Sequence, residues 1–231
     1  MPLEMHAIVK AFKLSPTSDD ALEPWTGRVG SSDVRAIHIG MGPPLTRAAL
    51  YRLFDTSAPD YRPVDHVMNA GICGGLDPDI DVGTLINPAI VVDNNSGTEY
   101  RHSPPGDVPL AGKLMTMEAA TLDPSLSRQF LDAGCVAVDM ESAAVAEVCE
   151  TQGCAWSIYR CIGDRYFDGL LDERIVAATN QDGSGNMAEI ERLLAAEPEL
   201  AANLDRLRRE TSNAARLAAE AAVAGCLALD T

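Results

Sequence analysis

Residues 138–164 read VDMESAAVAEVCETQGCAWSIYRCIGD, and the pattern inside them sets the fold. A short apolar run at 136–138 reads as the end of a strand. The stretch 141–151 reads as a helix, and 155–162, AWSIYRCI, as a mostly apolar strand that stops at Gly163-Asp164. Strand, helix and strand in such quick succession are the unit of an α/β domain with a largely parallel sheet.

The same alternation extends in both directions. Upstream, 6–12 (HAIVKAF), 34–39 (VRAIHI) and 66–70 (HVMNA) read as strands. The second ends in Gly40-Met41-Gly42 ahead of a helix over 46–54, and the third runs into Gly71-Ile72-Cys73-Gly74-Gly75. Residues 83–93 read as a strand pair or bent strand, since Pro88 interrupts its middle. A helix covers 125–133. Two loops are expected, at 93–109 and at 167–186, the latter with one short helical piece. From 187 to 229 the leucine spacing is helical, broken at Pro198. The expectation is one domain over residues 1–231, with 187–231 a C-terminal helical elaboration.

The chain has 231 residues, 46% of them hydrophobic and 23% charged, an ordinary globular balance. Its 18 basic and 34 acidic residues leave a net charge of −16. That argues against nucleic acid or an anionic membrane as partner, but a small anion needs only a few local donors. No apolar run approaches a membrane span, and no signal peptide is read. The six cysteines form no CxxC pair and carry no metal-ligand spacing, so reduced core thiols in a cytoplasmic protein are expected.

Four motifs stand at strand ends, where ligands bind in parallel sheets. Gly40-Met41-Gly42-Pro43 allows a tight turn, or close approach of backbone to a ligand. Asn69 to Leu76 offers bare backbone for an anion or a sugar oxygen, or close strand–helix packing. In Val138-Asp139-Met140-Glu141-Ser142, Glu141 is either a favourable acid in a first helical turn or the acceptor of two sugar hydroxyls. Asp139 reads there as a helix cap. Asp164 is either a turn residue, paired with Arg165, or a proton donor whose burial raises its pKa.

In order and spacing these motifs resemble the nucleoside phosphorylase and nucleosidase superfamily, which includes purine nucleoside phosphorylase, uridine phosphorylase and methylthioadenosine/S-adenosylhomocysteine nucleosidase. The similarity runs over 6–164. It implies a three-layer α/β/α sandwich with a mixed, partly barrel-like central sheet, followed by the C-terminal helices. It also implies cleavage of the N-glycosidic bond of a purine, adenine-type nucleoside, by phosphorolysis or hydrolysis. Met140 would lie against the ribose, Glu141 would bind its hydroxyls and Asp164 would protonate the purine. No metal or cofactor is implied, and a homo-oligomer is. The Gly-Met-Gly-Pro turn, the Asp-Met-Glu-Ser motif and the tail AAEPELAANLDRLRRE (195–210) are similar to the hopanoid-associated phosphorylases, or adenosylhopane nucleosidases.

One departure bears on the nucleophile. In the methylthioadenosine nucleosidases the first strand runs into an acid that activates water. The matching stretch here, Ala11 to Ser15, carries none. Lys13, Ser15, Gly42 and Arg47, with the backbone at Gly71, Ile72, Cys73 and Gly74, are then candidates for holding phosphate or the base. This favours phosphate as co-substrate. Were water the nucleophile, Glu99 or Asp93 would be the base to test. The competing readings are a catalytically silent nucleoside-binding protein and a structural component of an oligomer.

Overall fold

The computed structural model describes residues 3–17, 25–59, 61–120, 122–170, 173–180 and 184–230. The first half of the chain holds α1 (Leu3–Phe12), β1 (Ser15–Pro16), β2 (Trp25–Val29), β3 (Ser32–Ala36), α2 (Pro43–Leu53), β4 (His66–Gly75), β5 (Leu85–Ile86), β6 (Ile90–Asp93), β7 (Glu99–Arg101) and β8 (Lys113–Thr116). The second half holds α3 (Pro124–Asp132), β9 (Cys135–Asp139), α4 (Ser142–Gln152), β10 (Ala155–Arg165), α5 (Glu173–Ala177), α6 (Met187–Ala196) and α7 (Leu200–Ala228).

Seven strands form one sheet in the order β5-β10-β4-β9-β8-β6-β7, and β1-β2-β3 form an antiparallel sheet of three. The larger sheet is mixed. β10–β4, β8–β9 and β6–β8 are parallel, whereas β4–β9, β10–β5 and β6–β7 are antiparallel. β10 carries the three-layer arrangement in its alternation. Trp156, Ile158 and Ile162 pack with Val145, Val148 and Cys149 of α4 on one face. Tyr159 packs with Ala222 and Cys226 of α7 on the other, and Cys161 with Ala214 and Ala218. The alanine stripe of α7 brings that long helix close to the sheet.

Three expectations need correction. Residues 6–12 are the body of a helix, α1, and not a strand. Met5, Ile8, Val9 and Phe12 recur at i, i+3, i+4 and i+7, and Met5 and Phe12 are buried with Ile8 and Val9 packed beside them. The strand expected at 34–39 forms one edge of a hairpin and ends at Ala36. The strand expected to end at Ile162 continues to Arg165 past a register shift at Gly163. Three strands, β1, β2 and β8, lie outside the expected elements, and β7 lies within the expected 93–109 loop. α5 is the short helix of the 167–186 loop, of which residues 171, 172 and 181–183 lie outside the described residues.

On the side away from β10, β4 pairs only through Gly74 and Gly75, with β9. Its edge over 66–73 has no ladder partner there among the described residues and borders a large cavity. Five of the six cysteines are buried, and all six are free thiols. No helix among the described residues is long and apolar enough to cross a membrane.

Candidate active site

The cavity encloses about 1560 Å³ and lies beside the C-terminal ends of β4, β9 and β10. Ile72, Cys73, Gly74, Met140, Glu141 and Asp164 line it, so the strand-end motifs converge as expected. Arg160 and Glu4 line it as well.

Arg160 is the hub, only 2% exposed. Its Nε donates to Asp139 Oδ2 at 2.9 Å, its Nη2 to Glu141 Oε2 at 2.9 Å and its Nη1 to the Ile72 carbonyl at 3.2 Å. Glu4 Oε1 lies 3.7 Å from Nη1 and accepts the Ile72 N–H at 2.7 Å. The open edge of β4 is thus capped at Ile72 by two charged side chains. A Cβ on Gly71 would collide with both Glu4 Oε1 and Arg160 Nη1, which is why this position has no side chain. The neighbouring acids hold the Arg160 guanidinium more firmly protonated, against the cost of its burial.

The helix cap and the cavity-facing acid of the Asp139–Ser142 segment are separate residues. Asp139 accepts Ser142 N–H at 3.1 Å and Thr116 Oγ1–H at 2.7 Å, and so starts α4. Glu141 makes no capping bond to the helix. Its Oε1 accepts the Gly42 N–H at 3.0 Å, and its Oε2 faces Arg160. Gly42 has φ 90°, a left-handed conformation that presents this N–H. Burial pushes the Glu141 carboxyl up to about 7, against Arg160 and the Gly42 N–H, which favour its ionised form.

Asp164 sits just past the β10 irregularity at Gly163, a feature that re-aims a side chain beside a site. Its expected alternative partner is taken: Arg165 binds Asp168 through Nε and Nη2, both at 3.1 Å, and reaches Asp81 at 3.3 Å. No side-chain hydrogen bond holds Asp164 among the described residues. Burial, then the charges of Asp168 and Glu210, push its carboxyl up to about 6. That leaves a carboxyl with raised proton affinity facing the cavity.

The anion-site candidates fare differently. Lys13 and Ser15 follow α1 at the end remote from Glu4, Ser15 in β1, and neither lines the cavity. Arg47 is bound by Glu147 at 2.7 Å and lies 3.8 Å from Asp93, outside the cavity. Glu99 pairs with Lys113 at 2.6 Å, so neither fallback base reaches the site. Cys73 is buried and its thiol is pushed well up by burial, so it is inert there. The carboxylate absent from 11–15 stands instead in the first turn of α1. Glu4 was missed because its helix was read as a strand, and Arg160 because it lies mid-strand.

A curled mixed sheet between helical layers, with Glu141 and the buried Asp164 facing one cavity, defines an enzyme of the nucleoside phosphorylase and nucleosidase type. The family profile described as "Phosphorylase superfamily" matches residues 1–135, and the chain belongs to that family. Among solved structures it is similar to a Streptococcus pneumoniae 5'-methylthioadenosine/S-adenosylhomocysteine nucleosidase with a transition-state inhibitor, at 16% identity and TM-score 0.69, covering 100% of this chain and 96% of that one. It is also similar to the Campylobacter jejuni nucleosidase of the same name, at 12% identity and TM-score 0.67, covering 98% and 95%. A third likeness is to the native futalosine hydrolase of Helicobacter pylori, at 15% identity and TM-score 0.66, covering 100% and 94%. These likenesses concern the fold. A search by sequence among curated proteins found no match.

Proposed function

We propose that the chain hydrolyses the N-glycosidic bond of an adenine-type nucleoside. The observation that carries this reading is one cavity with Glu4, Arg160 and Glu141 around Ile72 and, beside Gly74, Asp164, which no side-chain hydrogen bond holds among the described residues and whose carboxyl burial pushes up to about 6. Glu141, fixed by the Gly42 N–H and Arg160, accepts the ribose hydroxyls and orients the sugar. Asp164 gives its proton to a ring nitrogen of the base as the bonding pair leaves C1′ with it. Glu4 takes a proton from water as the oxygen adds to C1′, and Arg160 holds the Glu4 carboxylate in place. The oxocarbenium-like transition state needs both events.

Hydrolysis replaces the expectation of phosphorolysis because its premise, the lack of an acid by the first element, does not hold at Glu4. The groups suggested for phosphate, Lys13, Ser15 and Arg47, are not at the cavity. The cavity volume of about 1560 Å³ exceeds the roughly 300–1,000 Å³ of an ordinary small-molecule site. That room supports a nucleoside with a sizeable 5′ substituent, the feature that hopanoid-associated nucleosides share. The test is adenine release from adenosine derivatives that differ in 5′ group, by wild type and Glu4→Gln. The reading requires release by wild type and a loss of kcat of about 100-fold or more in the variant. Unchanged kcat would remove Glu4 from the reaction.

A further inference from the structure

The six thiols are not equivalent. Burial pushes those of Cys73, Cys135, Cys161 and Cys226 up, which makes them poor nucleophiles. Cys149 and Cys154 differ, because the chain brings them together at one turn. α4 stops at Gly153, whose φ of 67° is left-handed. Beyond it the Cys154 N–H donates to the Cys149 carbonyl at 2.9 Å, and the Gly153 N–H to the Glu150 carbonyl at 3.2 Å. This pair of bonds closes a helix on a left-handed residue, and it sets the side chains of the two outer residues, here Cys149 and Cys154, against each other. A direct N–H···O bond between two residues also keeps their α-carbons inside the roughly 4.4–6.8 Å that a disulfide spans.

Both side chains meet the core cluster between α4 and β10. Cys149 is fully buried in it, and the half-buried Cys154 packs on its margin. A hydrogen bond between the two sulfurs keeps the proton on Cys149, whose ionisation burial also opposes. The same bond lowers the Cys154 thiol, against its burial and the charge of Asp65, and the Val67 N–H adds to it. In its neutral form Cys154 donates to the Val64 carbonyl, 3.5 Å away. The more accessible sulfur is therefore the better thiolate, and the buried one beside it holds a proton. That is the order in which an attacking and a resolving thiol work.

We propose that Cys149 and Cys154 are a peroxide-sensitive dithiol that closes to a disulfide and locks the end of α4 to the start of β10. The Cys154 thiolate attacks one oxygen of hydrogen peroxide. The O–O bond breaks, and hydroxide leaves, becoming water with the proton that the thiol had released. The Cys149 sulfur then attacks the Cys154 sulfenic acid. The S–S bond forms as the S–O bond breaks, and the Cys149 proton leaves with that oxygen as a second water. Two thiols are oxidised and one peroxide is reduced. A dithiol reductant reopens the bond by exchange. Glu141 precedes α4 and Asp164 stands near the end of β10, so the pair lies at the opposite ends of both elements and closure touches neither carboxyl.

The test exposes the whole chain, as wild type, Cys149→Ser and Cys154→Ser, to hydrogen peroxide. Each sample is then unfolded, alkylated with N-ethylmaleimide and mapped by mass spectrometry. Wild type is expected to lose alkylation at Cys149 and Cys154 together, through a bond that dithiothreitol reopens, while the other four cysteines stay alkylated. Amide hydrogen exchange over 150–154 should slow in that form. In Cys149→Ser the oxidation should stop at a Cys154 sulfenic acid, trapped by dimedone, and Cys154→Ser should give neither product. On the folded wild type, iodoacetamide should modify Cys154 at least about tenfold faster than any other cysteine, since a thiol that titrates one pH unit lower holds about tenfold more thiolate. The wild-type map decides even if Cys149→Ser, a change at a buried position, does not fold. A disulfide to another cysteine or between two chains overturns the proposal. So do a Cys154 sulfenic acid that persists in wild type, equal oxidation of all six thiols, and unchanged exchange over 150–154 after oxidation.

Discussion

The placement of Glu141 and Asp164 at the cavity was legible in the sequence because each stands at the end of an apolar strand run, where ligands meet this class of sheet. Asp164→Asn keeps the shape and removes the transferable proton, so kcat should fall about 100- to 10,000-fold while nucleoside binding survives. The same change has a stability signature. Burial raises Asp164 from its ordinary 3.8 to about 6, so the folded chain binds more protons there than the unfolded chain. Its ionisation therefore costs stability as pH rises from about 3.8 to 6, and the full cost is present at pH 7. Asp164→Asn should melt at higher temperature than wild type at pH 7, and the gap should close near pH 4. An equal or lower melting temperature at pH 7 would show that the acid is not desolvated. Glu141→Gln should weaken ribonucleosides far more than their 2′,3′-dideoxy forms, through bonds to charged groups worth roughly 1.5–3 kcal/mol each. Equal losses would reduce Glu141 to a helix-start residue. Glu4 escaped the sequence reading for a local reason: residues 6–12 look like an apolar run until the window opens to Leu3 and the helical spacing of Met5, Ile8, Val9 and Phe12 emerges.

Among elements, the sequence placed α4, α7 and the central strands well, since long apolar periodicity is a strong signal. β8 is four residues long and β2 has a glycine at its centre, too little pattern to separate from loop. The irregularity at Gly163 has no sequence mark, although it aims Asp164. The close seat of α7 rests on Ala214, Ala218 and Ala222, all buried against Cys161 and Tyr159. Ala218→Leu should cost on the order of 1–3 kcal/mol by overpacking, read as a lower denaturant midpoint. An unchanged midpoint would mean the helix does not lie close to the sheet. On the other face, His102 ties the 88–102 region to β10. Its Nδ1 donates to the Pro88 carbonyl at 2.9 Å, and its Nε2 accepts the Ile158 N–H at 3.0 Å. That ring must be neutral, and burial lowers its pKa. The stability it contributes is complete above about pH 6.5 and is lost as pH falls below it, opposite in sign to Asp164. Ring 15N shifts should show His102 titrating below the ordinary histidine range; protonation at or above 6.5 would contradict the bond to Ile158.

Over the whole molecule, a net charge of −16 surrounds a site organised by one buried cation, Arg160, with Glu4, Asp139 and Glu141 converging on it. The sequence conveyed the family architecture through four short motifs. It did not convey which residues from distant segments meet, because Glu4 and Arg160 are 156 positions apart and only the packing of α1 beside β4 and β10 joins them. On the proposed reading that meeting selects water over phosphate as nucleophile, and the product distinguishes the two. The decisive measurement is the sugar released from an adenine nucleoside by the wild-type chain in phosphate-free buffer and again in saturating phosphate. The account predicts free ribose, or its 5′-substituted form, at the same rate in both. Cleavage that requires phosphate and yields the sugar 1-phosphate would contradict it.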